Sequence, residues 1–235
     1  MFDFEKFAAE GLVLSVDKPY GWTSTDVVRK VKAMLRRVGY PKTIKVGHAG
    51  TLDPLATGVL LVCVGRATKR IDSLQAETKE YVAEVELGAT TPSYDLEKEI
   101  DARYPTEHIT REMLDSVLDS MVGEQMQLPP LFSAKYIDGV RAYEYARAGV
   151  EVEIKRAKIT IHEIEVLEFE LPRVRLRIKC SKGTYIRSIA RDLGEALKSG
   201  AHLIGLRRTQ SGDFKADEAL SLENVEKIVS EMKQN

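Results

Sequence analysis

An α+β fold is predicted by this sequence on three observations. Apolar and polar residues alternate over 79–88 and 173–180, the period of a half-buried strand. Elsewhere, over 23–38, 110–121 and 222–232, apolar residues recur every three or four positions, the period of an amphipathic helix. A chain of 235 residues, 43% of them hydrophobic, is long enough to bury a substantial core around both kinds of element, within one domain spanning 1–235.

In chain order, LVLSVDKPYGWTS opens with an apolar strand that Lys18, Pro19 and Gly21, all turn formers, bring to an end. A Thr/Ser/Asp cluster then caps a helix whose Val27, Val28, Val31, Met34, Leu35 and Val38 share one face. Its lysines and arginines take the other face, free for solvent or a phosphate backbone. Residues 46–60, VGHAGTLDPLATGVL, form a glycine-hinged loop that runs into 59–64, a short β-branched stretch between Gly58 and Gly65 that reads as a buried strand. In KEYVAEVELG, Tyr81, Ala83, Val85 and Leu87 face one way and Val82, Glu84 and Glu86 the other. Residues 90–108 are polar and turn-rich, and Met113, Leu114, Val117, Leu118 and Met121 mark the next helix. The stretch 128–155 starts with Pro129 and Pro130, mixes aromatic with basic residues, and reads as a projecting loop or short lobe. KITIHEIEVLEFE and RVRLRIKC make a strand pair, a helix follows from about Tyr185, and Leu222, Val225, Ile228, Val229 and Met232 define a short closing helix. No internal repeat is present.

Composition narrows the class. No basic leader with a long apolar core opens the chain, and the longest apolar run, VLLVCV, is far short of a membrane span, so a soluble cytoplasmic protein without membrane attachment is expected. Cys63 and Cys180 lie far apart inside strand patterns, which suits buried thiols in a reducing compartment better than a disulfide or a zinc site. The net charge of −1 hides an asymmetry: 173–215 holds eleven Lys/Arg against three Asp/Glu, and 77–124 thirteen acids against four bases. Such runs either coat a solvated face or meet a polyanion.

Two places carry candidate chemistry. Asp53 precedes Pro54, which disfavours helical backbone at the aspartate, and Gly47, Gly50 and Gly58 permit conformations that side chains block. Its carboxylate is therefore presented by a tight irregular turn, although Asp-Pro also serves simply to start a turn before a strand. His48 equally suits a local backbone partner. In RVRLRIKCSKGTYIR, Arg173, Arg175, Arg177 and Lys179 share one strand face, either guarding a sheet edge or facing something anionic. The SKGTYIR turn leads into a helix whose first turn carries Tyr185 and Arg187, placed to pin a phosphate or to hold a carboxylate ionised.

Taken in order, GHAGTLDPLATGVL, KEYVAEVELG, SKGTYIRSIARDLG and AHLIGLRR closely resemble the pseudouridine synthases of the bacterial tRNA type, and the resemblance extends over about 12–222. It implies isomerisation of uridine 55 in the T loop of tRNA, and a pseudouridine synthase fold with a mixed, mainly antiparallel central sheet, flanking helices and an active cleft across its middle. The strand and helix pattern is compatible with that topology but does not by itself produce it. By the same resemblance Asp53 is the essential catalytic residue, Arg187 its cationic partner, and Tyr81 the aromatic that stacks on the flipped base and takes the C5 proton. On spacing alone Tyr81 is an ordinary core residue. The resemblance also sets His48 against the T loop, Asp95 near the flipped nucleotide, Leu206 in the apolar pocket wall and Tyr185 in its lining. The bases over 173–182, Lys182 included, together with Arg207, Arg208 and a thumb-like segment at about 129–152, would grip the RNA.

The reaction breaks N1–C1′, turns the uracil and joins C5 to C1′, for which a carboxylate suffices whether it attacks the ring, attacks the sugar or abstracts a sugar proton. No metal and no cofactor is expected, in keeping with a chain that has neither metal-ligand spacing nor a nucleotide fingerprint. Many relatives carry a C-terminal PUA module; none is expected here, which implies fewer phosphate contacts and more salt-sensitive binding. Three rivals fit less well. A pure RNA binder gains nothing from a carboxylate in a basic groove. A glycoside hydrolase normally uses two acids. A guide-RNA-dependent relative would carry longer extensions, so a monomer acting on tRNA without a guide RNA is expected.

Overall fold

A computed structural model of the protein describes residues 7, 9–133, 136–137, 139–141, 144–145, 148, 150 and 152–232. Its elements in chain order are β1 (Leu12–Lys18), α1 (Ser24–Arg37), β2 (Val46–His48), β3 (Ala56–Val64), a 3-10 helix (Gly65–Arg70), α2 (Ile71–Ala76), β4 (Lys79–Leu87), β5 (Ala89–Thr90), β6 (Ala102–Arg103), α3 (Arg111–Met121), β7 (Gly123–Gln127), β8 (Tyr136–Ile137), β9 (Val140–Arg141), β10 (Ala157–Glu170), β11 (Arg173–Cys180), α4 (Ile186–Ala196), β12 (Ala201–Ser211), β13 (Phe214–Lys215) and α5 (Leu222–Glu231). The class is α+β, with a mixed and mostly antiparallel sheet. The thumb-like segment expected at 129–152 lies partly outside the described residues. Two compact units divide the chain, Met1–Glu80 with Arg207–Asn235 and Tyr81–Leu206, and strands β4 and β12 contribute residues to both.

In the first unit β3 is the central strand. It pairs antiparallel with β1 from Leu12↔Val64 to Lys18↔Gly58, and with β2 from Val46↔Val64 to His48↔Val62. The strand begins at Ala56, three residues before the apolar run that marks it in the sequence, and is buried along nearly its whole length. Val59, Leu61 and Cys63 pack with Ala49, Ala67 and Leu74 into a core covered by Val13, Ile71 and Phe214. Each such large aliphatic side chain contributes roughly 1.5–3 kcal/mol. Helix α1 starts at a capping box, Thr23 and Asp26 satisfying each other's backbone N–H, and buries Val27, Val31, Met34 and Leu35. Gly58 is required where β3 meets β12: its φ is +97°, and a Cβ there would stand 2.2 Å from the Arg208 carbonyl oxygen.

In the second unit the strand order is β12-β4-β11-β10-β7. Tyr81, Ala83, Val85 and Leu87 of β4 are buried, as their alternation predicts. Strand β11 is internal, which removes the edge-strand explanation for its row of cations. Carboxylates instead answer them: Arg175 reaches Glu168 at 2.8 Å, Arg177 lies 2.8 Å from Glu163 and donates to Glu165 at 2.7 Å, and Arg173 stands 3.6 Å from Glu86. The repulsion among like charges is thus relieved by neighbouring carboxylates at the protein surface. Lys179 and Lys182 remain exposed and available.

Candidate active site

The first unit holds Asp53 and His48. What distinguishes the Asp53 turn is that every main-chain carbonyl from Gly50 to Pro54 is held. Arg208 donates to Gly50 at 3.1 Å and Thr51 at 3.4 Å. The Ser24 hydroxyl donates to the Leu52 carbonyl at 3.0 Å and accepts from the Leu52 N–H at 2.9 Å. The Ala56 N–H meets the Asp53 carbonyl at 3.1 Å, and Pro54 accepts from the Gly21 N–H at 2.9 Å and from Lys18 at 3.2 Å. A turn restrained at five successive carbonyls presents its side chain in one place, the condition for positioning a reacting group.

Two buried cations supply half of the six bonds to these carbonyls. Arg208 is 1% exposed and also donates from Nε to the Val59 carbonyl at 2.7 Å. That burial corrects the expectation that Arg208 grips RNA; it is an internal clamp. Its neighbour Arg207 is half exposed and engages Asp17 through both terminal nitrogens, at 3.0 and 2.9 Å. Lys18, which the sequence marks only as a turn former, is fully buried, and its Nζ also donates to the carbonyls of Pro19 at 2.9 Å and Trp22 at 2.6 Å. Burial pushes its pKa down to about 8, opposed chiefly by the Asp53 carboxylate and assisted by the Arg208 charge. His48 lies on β2; its burial, and then the charge of Arg208, lower its pKa, so the imidazole is neutral at pH 7. Its Nδ1 has no hydrogen-bond partner among the described residues.

Lys18 makes a pH prediction with a defined sign. Below about pH 8 the ammonium offers three protons to three carbonyls and a charge to Asp53; above it, the neutral amine offers two protons and no charge. Turnover is expected to fall as pH rises through about 8. Stability should not fall with it: the folded pKa lies below the ordinary 10.5, so the unfolded chain binds the proton more tightly between about 8 and 10.5, and raising pH across that window favours the folded state through this group. Turnover and urea midpoints measured together from pH 7 to 10 separate the two effects. Lys18→Met should lack the alkaline limb, and a limb that survives in that variant would assign it elsewhere.

The second unit places Arg187, Asp95 and Tyr185 around the start of α4. The helix begins at Ile186, one residue later than expected, with Tyr185 as its N-cap. Tyr185 does not cap with its side chain; its backbone N–H and carbonyl are gripped by the Gln127 amide at 2.8 and 3.1 Å. Arg187, 3% exposed, donates to the carbonyls of Ser93 at 3.3 Å and Phe132 at 2.8 Å and faces Asp95, itself buried, at 3.5 Å. Asp95 is aimed by a strained corner, since Tyr94 has φ +62°, and Arg191 covers the Tyr94 ring at 5.0 Å. Gln127, Tyr94 and Arg191 carried no sequence signal, because each acts through a partner remote in the chain. Tyr81, 8% exposed, lies on β4, Leu206 is half-buried on β12, and Lys182 is exposed in the turn before α4.

Among the described residues no helix is long and apolar enough to cross a membrane. Comparison with known proteins bears on identity directly. The family model described as TruB family pseudouridylate synthase (N terminal domain) matches residues 36–186, and that of the tRNA pseudouridylate synthase B C-terminal domain matches 187–235. The chain is 58% identical over 215 residues to the tRNA pseudouridine synthase B of Phocaeicola vulgatus, covering 92% of both chains. To that of Bacteroides fragilis it is 60% identical over 211 residues, covering 90% of this chain and 91% of the relative. Among solved structures, a Cbf5-Nop10-Gar1 complex contains a chain 33% identical with a TM-score of 0.70; the match covers 92% of this chain but only 53% of that one. On this evidence the chain belongs to the TruB family of pseudouridylate synthases and is an isomerase.

Proposed function

We propose that this chain isomerises uridine 55 in the T loop of tRNA to pseudouridine, without a cofactor, a guide RNA or a second subunit, in the cytoplasm. The observation that carries the reading is the Asp53 turn, fixed at each carbonyl from Gly50 to Pro54 by groups as distant in sequence as Lys18 and Arg208. Asp53 supplies the carboxylate that releases N1 from C1′. Arg187, positioned by Ser93, Phe132 and Asp95, serves as its counter-ion once substrate closes the site and desolvation would otherwise raise the carboxyl pKa. Extruding the target base costs a few kcal/mol, which stacking on Tyr81 offsets; the same tyrosine takes the C5 proton. Leu206 and Tyr185 line the base pocket, neutral His48 meets the T loop, Asp95 stays near the flipped nucleotide, and Lys182 contacts phosphate.

Direct action on tRNA is supported by 58–60% identity to bacterial enzymes over nine-tenths of each chain, against 33% to the chain in the Cbf5-Nop10-Gar1 complex. A T-arm stem-loop tritiated at C5 of the uridine at position 55 tests the reading. The purified chain is expected to release that tritium, and to release none when the label sits only at the other uridines. No release from position 55, or release from another position, overturns it.

A further inference from the structure

We propose that Tyr20 is a stacking platform for an RNA base next to the target nucleotide, an inference that rests on the function proposed above. Among the described residues Tyr20 is the most exposed large apolar or aromatic side chain, at 61%. Single exposed aromatics are common and by themselves mean little; this one differs in how it is held. Pro19-Tyr20-Gly21-Trp22 closes a turn in which the Trp22 N–H meets the Pro19 carbonyl at 3.4 Å, and Gly21 at the third position has φ +80°, the geometry of a type II turn. Tyr20 occupies its outer corner.

The turn is tied to the Asp53 turn. One buried ammonium, that of Lys18, bonds the carbonyls at both ends of the Tyr20 turn, Pro19 and Trp22, and the Pro54 carbonyl as well, while the Gly21 N–H makes a second bond to Pro54 at 2.9 Å. The main chain that carries Tyr20 is therefore fixed in relation to the Asp53 turn rather than lying on a loose surface. Helix α1, which leaves this turn at Ser24, carries Arg29, Lys30, Lys32, Arg36 and Arg37 against one acid, Asp26. An exposed aromatic on a turn that is bonded to the Asp53 turn and runs into a basic helix matches the means by which proteins hold single-stranded nucleotides: a ring for a base, cations for the backbone. Since the target uridine leaves its stack, a neighbouring base loses a stacking partner, and a ring carried on this anchored turn replaces it.

The test measures tritium release from T-arm stem-loops by wild type, Tyr20→Ala and Tyr20→Phe, with urea midpoints for each. Tyr20→Ala is expected to raise KM about tenfold and leave kcat within about twofold, since stacking in the ground state persists in the transition state. Tyr20→Phe should behave as wild type, and neither midpoint should move. Stem-loops made abasic at one nucleotide flanking the target then identify the partner: at one position the abasic change raises KM for wild type and makes Tyr20→Ala silent. Unchanged KM in Tyr20→Ala, a loss confined to kcat, or a penalty equal on every abasic substrate overturns the inference. Failure of wild type to release tritium would instead sink the proposed function itself.

Discussion

Asp53→Asn is expected to abolish tritium release, lowering kcat by 10⁴-fold or more, on the order of the loss when a nucleophile is removed from an enzyme. RNA affinity should stay within about threefold of wild type, and the urea midpoint at neutral pH should fall only modestly, because the buried Lys18 ammonium loses the carboxylate that offsets its burial while the turn's backbone bonds remain. The separation follows from how the turn is built. The bonds from Arg208, Ser24, Ala56, Gly21 and Lys18 all end on main-chain carbonyls, which asparagine leaves in place. What changes is charge. An amide cannot act as the anionic nucleophile or base that glycosidic cleavage needs, and the loss of a negative group from the proposed RNA-facing surface does not weaken phosphate binding. The substitution also removes the carboxylate that most strongly opposes the fall in the Lys18 pKa. Lys18 is therefore expected to titrate below about 8 in the variant, which NMR of ¹⁵N-labelled lysine reads directly. Residual turnover near 1% of wild type would mean that Asp53 assists the chemistry rather than performing it.

Where the sequence was legible, one face of an element was buried and the other was not. Helix α1, β4 and β11 each carry that contrast; burial follows the pattern closely in the two strands, and in α1 at Val27, Val31, Met34 and Leu35, while Val28 and Val38 are only half-buried. Strand β12 was not read at all, because Gly205, Arg207 and Arg208 interrupt any alternation. Arg208 sits where a strand pattern requires an apolar residue, and its burial is tolerable only because carbonyls of Gly50, Thr51 and Val59, some 150 residues earlier, receive its protons. Lys18 is the same case: beside Pro19 and Gly21 it reads as punctuation, while its burial depends on Pro54, 36 residues on. Asp53 stood out locally, through Pro54 and the flanking glycines. Arg187 stood out locally too, through the glycine turn that opens its helix, but its buried pairing with Asp95 leaves no trace in local composition, and Tyr81 and Asp95 came from the resemblance.

Arg208→Met is expected to cost about 3 kcal/mol of stability and to impair turnover beyond that loss. Methionine fills much of the same volume but leaves three carbonyls without their donor, each worth roughly 1–3 kcal/mol when buried. These three are unequal. Val59 lies in the core at 0% exposure and has no access to water, whereas Thr51 is exposed and Gly50 half-buried, so water recovers part of their loss. Relief from burying a guanidinium offsets some of the remainder. The net penalty is therefore set mainly by Val59. The catalytic penalty is set by Gly50 and Thr51, whose release frees the Asp53 turn to sample geometries in which the carboxylate misses its target. Urea unfolding reads the first, and amide exchange at Leu52 and Ala56 reads the second, with faster exchange expected there than elsewhere in the first unit. Arg208→Lys keeps the charge but cannot span three carbonyls, so it should retain more stability than methionine while still loosening the turn. If both variants lose stability with no added exchange at Leu52 and Ala56, the clamp supports the core and not the Asp53 turn.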